Sequence, residues 1–298
     1  MKSLIRSGFL ALLLLAAAVP ALAAPITFNT ALPVARGQGI FRAQLQYLTS
    51  SDNGPGNREL EAWATPVVGV YGLTEKWALF GIVPYLDKEL EVNTPMGRLT
   101  RDVSGLGDAT FLARYTAFQR DRPGRTFRLA PFAGLKTPTG EDDERDGLGR
   151  LPQPLQLGTG SWDPFFGAVA TLQSLQRQFD AALSYRFNTE ANHFKLGDVA
   201  RLDFSWQERL WPRKLGPGVP AFVYGVLEGN LIWQDRNEID GRDDPDSGGA
   251  TLFVAPGLQY VTKRTVLEAA VQLPVLQDLN DDALETDYVA ILSFRVNL

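Results

Sequence analysis

The sequence predicts an all-β fold, a transmembrane antiparallel β-barrel of about twelve strands behind a cleaved export leader. Three observations predict it. The chain opens on a segment of secretory form, strand-length stretches alternate apolar with polar residues up to the final position, and the connections sort by length and charge according to their parity. Alternate side chains of a strand point to opposite faces, so each stretch has one greasy face and one mixed to polar.

The leader comes first. Lys2 and Arg6 precede an apolar stretch from Phe9 to Val19, then Pro20 and the small-residue site Ala21-Leu22-Ala23. That stretch is shorter than the roughly 20 residues a helix needs to span a bilayer. Cleavage after Ala24 would leave Pro25 at the new terminus, so the cut is expected after Ala23. This divides the chain into a signal peptide, 1–23, and a barrel, 24–298. Overall composition is 45% hydrophobic and 21% charged, which suits a barrel because only every second strand residue meets lipid. There is no Cys, hence neither a disulfide nor a lipidated cysteine. Loss of Lys2 and Arg6 takes the formal net charge from −5 to −7, a balance that argues against nucleic acid as a partner.

Five segments alternate cleanly. Phe41, Ala43, Leu45 and Tyr47 oppose Arg42, Gln44 and Gln46; Phe111, Ala113, Tyr115 and Ala117 oppose Thr110, Arg114 and Thr116. Phe179, Ala181, Leu183, Tyr185 and Phe187 oppose Gln178, Asp180, Ser184 and Arg186, and Ala200, Leu202, Phe204 and Trp206 oppose Arg201, Asp203, Ser205 and Gln207. At the end, Tyr288, Ala290, Leu292, Phe294, Val296 and Leu298 oppose Ser293, Arg295 and Asn297. Weaker patterns at about 59–72, 76–87, 126–137, 161–172, 221–234, 250–261 and 265–275 complete the set. Pro66, Pro84, Pro131, Pro164, Pro256 and Pro274 fall within these weaker segments. Proline lacks a ladder donor, so they are expected at bulges or at strand ends near the rims.

The even-numbered connections are short or basic: Thr74-Glu75-Lys76, Arg120 to Arg125, the stretch around Arg177, Arg209 to Pro220, and Thr262 to Thr265. The odd-numbered ones are longer and acidic, with Glu141 to Glu144, Asp240 to Asp246 and Asp278 to Asp287 among them. Short periplasmic turns and longer loops facing the cell exterior are what outer-membrane barrels show. Tyr and Trp side chains lie mostly toward strand ends, as in the aromatic girdles of such barrels.

Gly105-Leu106-Gly107-Asp108, Gly134-Leu135-Lys136-Thr137-Pro138-Thr139-Gly140, Leu157-Gly158-Thr159-Gly160-Ser161 and Tyr71-Gly72-Leu73-Thr74 resemble outer-membrane proteins of the phenol-degradation meta-pathway family, transporter-like barrels of Gram-negative bacteria. The resemblance runs from about Gly39 to Leu298. It implies a Gram-negative outer-membrane location and passage of small hydrophobic or aromatic compounds, and it supplies no catalytic residues. Outer-membrane strands usually end in Phe, whereas this one ends in Leu298; apolar character is kept, so recognition by the barrel-assembly machinery is expected to be weakened rather than lost.

Enzyme chemistry fares badly, and no cofactor is expected. A barrel lipid hydrolase needs a serine beside an oriented histidine, but the only histidine, His193, falls in an outer loop. With no Cys and one His, zinc chemistry is equally disfavoured. Asp240, Asp243, Asp244 and Asp246 are the best Ca²⁺ candidates, yet they lack EF-hand spacing and enclose Arg242, so a solvated loop is preferred. The acidic loops could also bridge to lipopolysaccharide through divalent ions. The inward faces matter more for a channel: Arg42, Gln44, Gln46, Arg114, Lys136, Asp180, Arg186, Arg201, Asp203, Glu228 and Glu268 are the expected lumen-lining residues. They either pair and fill a narrow lumen or line a path and set selectivity. The expected function is passive movement of a small solute through a barrel surrounded by outer-membrane lipid. The alternative is a structural or surface-interaction barrel with a filled lumen.

Overall fold

The computed structural model describes residues 23–52, 56–214, 218 and 221–298. The expected leader, up to residue 22, and part of the expected 209–220 connection lie outside the described residues. Twelve strands form the wall: β1 Gly39–Ser51, β2 Glu59–Gly72, β3 Trp77–Thr94, β4 Thr110–Tyr115, β5 Arg125–Lys136, β6 Asp163–Ser174, β7 Arg177–Arg186, β8 Val199–Trp211, β9 Ala221–Gln234, β10 Gly249–Thr262, β11 Thr265–Leu279 and β12 Glu285–Asn297. Each pairs antiparallel with its neighbours in sequence, and β12 pairs with β1 to close the ring. Closure leaves the wall without an edge strand and pairs its backbone almost throughout, the condition for crossing hydrocarbon with strands.

Facing follows the alternation. On β7, Phe179 and Leu183 are 47% and 61% exposed, while the intervening Gln178, Asp180 and Ala182 are buried. On β8, Phe204 and Trp206 are exposed and Asp203, Ser205 and Gln207 are buried. The greasy residues therefore look outward and the polar ones inward, the reverse of a soluble sheet. Arginine substituted for Leu183 should lower stability in liposomes by about 2–4 kcal/mol if the site lies near mid-bilayer. A urea-unfolding midpoint indistinguishable from that of the unsubstituted protein would contradict this facing.

The structure corrects several sequence expectations. Pro66, Pro84, Pro131 and Pro256 lie inside strands rather than at rims or bulges; Pro66 and Pro84 even face each other across β2 and β3. The wall accommodates them by local gaps. Pairing of β1 with β2 skips from Ala43↔Val67 to Gln46↔Ala64, and that of β10 with β11 skips from Val254 to Gly257. A missing N–H removes one ladder bond without forcing the strand to bend. Only Pro274 adjoins a register shift, and Pro164 is the second residue of β6.

Strand β4 is shorter than the 111–117 alternation implies. Its polar–apolar rhythm resumes out of step at Phe118–Arg122, which also pairs with β5: Arg114 faces Phe132, but Phe118 faces Leu129. Arg120 and Arg122 thus belong to a strand, and the turn narrows to Pro123 and Gly124. Conversely, β3 runs well past residue 87 and folds back as Gly97–Leu106, making a long hairpin beyond the wall. Leu90 and Val103 of that hairpin are buried with Leu151, Leu155 and Leu157 from the connection between β5 and β6. The connections do sort by end: 73–76, 123–124, 175–176 and 263–264 lie at one end of the barrel, and the long loops at the other.

Candidate functional site

The lumen is built from the polar faces and from one segment the strand pattern passed over. Residues 23–36 precede β1 and sit inside the barrel, with Ala23, Ala24, Ile26, Ala31, Leu32 and Val34 all buried. The segment carries Pro25 and Pro33, which lack a ladder donor, and it joins no strand; wall side chains satisfy much of its backbone instead. Glu228 of β9, 2% exposed, accepts the backbone N–H groups of Ile26 (2.7 Å) and Thr27 (2.9 Å) and the Thr27 hydroxyl (2.6 Å). Arg42 and Gln44 both donate to the Ile26 carbonyl, at 2.8 and 3.1 Å, and Gln259 donates to that of Ala24. Thr171 accepts the Ala31 N–H at 2.8 Å, and Arg114 donates to the carbonyls of Thr30 and, at 2.6 Å, Leu32. Gly72 lets the chain leave the lumen. A Cβ there would approach the Val34 carbonyl to 2.7 Å and that of Ala35 more closely still.

The expected lumen residues fall into groups rather than one continuous row. Arg42 pairs with Glu268 at 2.6 Å and bonds Ser293, and Gln46 donates to Gln44. Asp180 accepts from Thr171, Gln178 and Gln207. Arg201 pairs with Asp203 at 2.9 Å, and Asp203 also accepts from Asn230. Arg114 stacks over the Phe80 ring, 5.0 Å from its centroid. The Arg186 side chain has no hydrogen bond or ion pair among the described residues. Sequence reasoning missed Thr171, Asn230 and Gln259, polar residues at every second position of strands whose other face is apolar. It also missed the inward sides of β2 and β3, where Pro66, Val68, Val70, Phe80 and Ile82 present a wholly apolar wall. Both faces of those strands are apolar, so alternation carries no signal there.

A cavity of about 540 Å³ remains beside the N-terminal segment. The β2–β3 wall lines one part of it, and Arg42, Arg114, Arg186, Arg201 and Arg295 line another. This volume is in the range of small-molecule sites.

Lys136 belongs to a separate knot at the long-loop end. Its ammonium lies 2.7 Å from Asp108 and 2.8 Å from Asp163, and it also meets the Thr159 hydroxyl. Asp108 further accepts the backbone N–H groups of Gly140 and Thr159, both at 3.0 Å. Three of the glycine-rich stretches thus converge on one carboxylate, and Gly158 must be glycine because a Cβ would lie 2.7 Å from Asp108. Farther out, the Arg101 guanidinium grips Asp146 through two 2.7 Å bonds and holds its carboxyl below the usual range. The loop therefore keeps this clasp as pH falls into the ordinary carboxylate range.

The remaining candidates do not assemble a site. His193 lies 3.4 Å from Asp240, both side chains largely exposed, and no serine bonds it among the described residues. Asp240 and Gly241, both at positive φ, form the tight turn between Glu238–Ile239 and Arg242–Asp243, a geometry that Asp-Gly favours on its own. Among the described residues no group of three or more acidic or His side chains is placed to hold a metal, so Asp240, Asp243, Asp244 and Asp246 do not converge.

Several proteins of known structure are similar to this chain. The COG4313 outer membrane channel from Pseudomonas putida F1 is similar at 15% identity over 89% of this chain and 97% of that one, with a TM-score of 0.67. The translocator domain of the autotransporter NalP from Neisseria meningitidis is 8% identical, covering 88% and 89% of the two chains at a TM-score of 0.44. A FadL homologue of Pseudomonas aeruginosa is 10% identical over 91% and 92%, at 0.39. No curated protein matches in sequence. The family model described as "Putative MetA-pathway of phenol degradation" matches residues 49–275, most of the barrel, and the chain therefore belongs to that family, as an outer-membrane β-barrel.

Proposed function

We infer that the protein is a passive outer-membrane channel for small hydrophobic or aromatic solutes, without a catalytic step or cofactor. The observation that carries this reading is the two-sided lumen: an apolar wall on β2–β3 faces a charged wall across a cavity of small-molecule size. A lumen meant for ions and water alone would have no use for Val68, Val70, Phe80 and Ile82 on its inside. The long acidic loops face the cell exterior, where they can bridge to lipopolysaccharide through divalent ions. The leader 1–23 is removed on export, and the final strand, ending in Leu298, is handed to the barrel-assembly machinery. The name of one similar protein fits: it is an outer membrane channel.

The test is uptake of a labelled neutral aromatic compound by cells with and without the gene, with conductance of the purified protein in parallel. Faster uptake in cells that carry the protein is expected. A second reading, a structural barrel with a filled lumen, is favoured by the seating of residues 23–36. Equal uptake with and without the gene, together with no conductance, would select it.

A further inference from the structure

Among the described residues, Arg186 is the one expected lumen residue whose side chain has no hydrogen bond or ion pair. It is exposed by area, but it lines the luminal cavity. Its charged neighbours are Arg201 and Asp163. Asp163 is already committed: one oxygen takes Lys136 at 2.8 Å and the Ser161 hydroxyl at 3.1 Å, the other the Thr189 N–H at 2.9 Å. Arg201 aggravates the imbalance. Ser184 faces Arg201 directly across β7 and β8, so Arg186, two residues on, sits diagonally from Arg201 on the same face. Like charges this close on neighbouring strands repel. Among the described residues, Asp203 meets one Arg201 nitrogen, and the buried Arg201 Nε has no acceptor.

We propose that this pair of guanidiniums is an anion site, and that the solute of this lumen is an amphiphilic monoanion, an organic carboxylate with an apolar body. The carboxylate would sit between Arg186 and Arg201, matching the planar fork of a guanidinium. Strands β2–β3 lie roughly half-way round the ring from β7–β8, so the apolar body would extend across the cavity toward Val68 and Phe80. This deepens the transport reading by naming its solute class, and rests on that reading for passage though not for binding.

Calorimetric titration of the full-length protein in detergent, blanked against empty micelles, tests it with benzoate, octanoate and the neutral benzyl alcohol. Benzoate or octanoate should bind saturably, and whichever binds tighter identifies an aromatic or alkyl body. Arg186→Gln should weaken the carboxylate about ten- to a hundred-fold, as loss of a hydrogen bond to a charged group does, and leave benzyl alcohol unchanged. Arg186→Lys should recover part of the loss, and Arg201→Gln provides a second, independent variant. Each variant is checked for the heat-dependent shift in electrophoretic mobility of a closed barrel. Carboxylates that bind no better than benzyl alcohol, or that ignore Arg186→Gln in a folded variant, would overturn the site. If that happens while cells still take up the neutral compound, the channel reading survives; Arg186-dependent binding without any solute crossing would spare the site and sink the channel.

Discussion

Lys136→Met is expected to destabilise the barrel by about 3–5 kcal/mol, the range for removing one partner of a buried ion pair while the other charge stays behind. Here two carboxylates would be stranded. The Lys136, Asp108 and Asp163 side chains are 12%, 7% and 1% exposed, so water cannot replace the ammonium. The knot joins the start of β4, the end of β5 and the loop into β6, and its loss should also loosen the connection around Gly158. Urea unfolding from liposomes reads the effect. The matched control is Arg145→Met, which breaks an exposed pair with Asp143 and should cost no more than about 1 kcal/mol. Equal, small effects at both positions would remove Lys136 from its central place.

Glu228→Gln should release the N-terminal segment from the lumen. The carboxylate offers two acceptor oxygens to two backbone donors, a Thr27 hydroxyl and the Ser205 hydroxyl. A glutamine keeps the volume but turns one acceptor into a donor that confronts a buried N–H. A hydrogen bond to a charged group contributes about 1.5–3 kcal/mol, so the loss of two shifts the seated-to-released ratio by at least about a hundred-fold. Conductance in planar bilayers is expected to rise, as it should when residues 24–34 are deleted. An unchanged conductance in Glu228→Gln, alongside a raised one in the deletion, would show that other contacts seat the segment, Arg42 and Arg114 foremost.

Much of the wall was legible because two unlike environments flank it. Where lipid lies on one side and a polar lumen on the other, as on β7 and β8, period two marks both the strand and its facing. The signal fails where the environments are alike. Strands β2 and β3 are largely apolar on both sides, so they read only as weak strand patterns and the apolar lining they give the lumen does not show in the sequence. Prolines misled for a different reason: a closed, continuous ladder tolerates one absent donor at Pro66 or Pro256, where an isolated hairpin would not. The N-terminal segment was invisible because its partners, Glu228, Gln259 and Thr171, lie about 140 to 235 residues away in sequence. No local pattern encodes such contacts. The knot is half legible: the glycine-rich stretches stand out in the sequence, but their convergence on Asp108 does not.

The native chain has no cysteine, which makes the most direct test of facing simple to run. Single cysteines placed in turn at positions 178 to 187, labelled with a fluorophore and reconstituted with brominated acyl chains, report contact with hydrocarbon residue by residue. Quenching should be strong at 179, 181, 183, 185 and 187 and weak at 178, 180, 182, 184 and 186. Uniform quenching, or strong quenching at 180 and 186 with none at 183, would contradict a wall whose ionic side encloses the lumen.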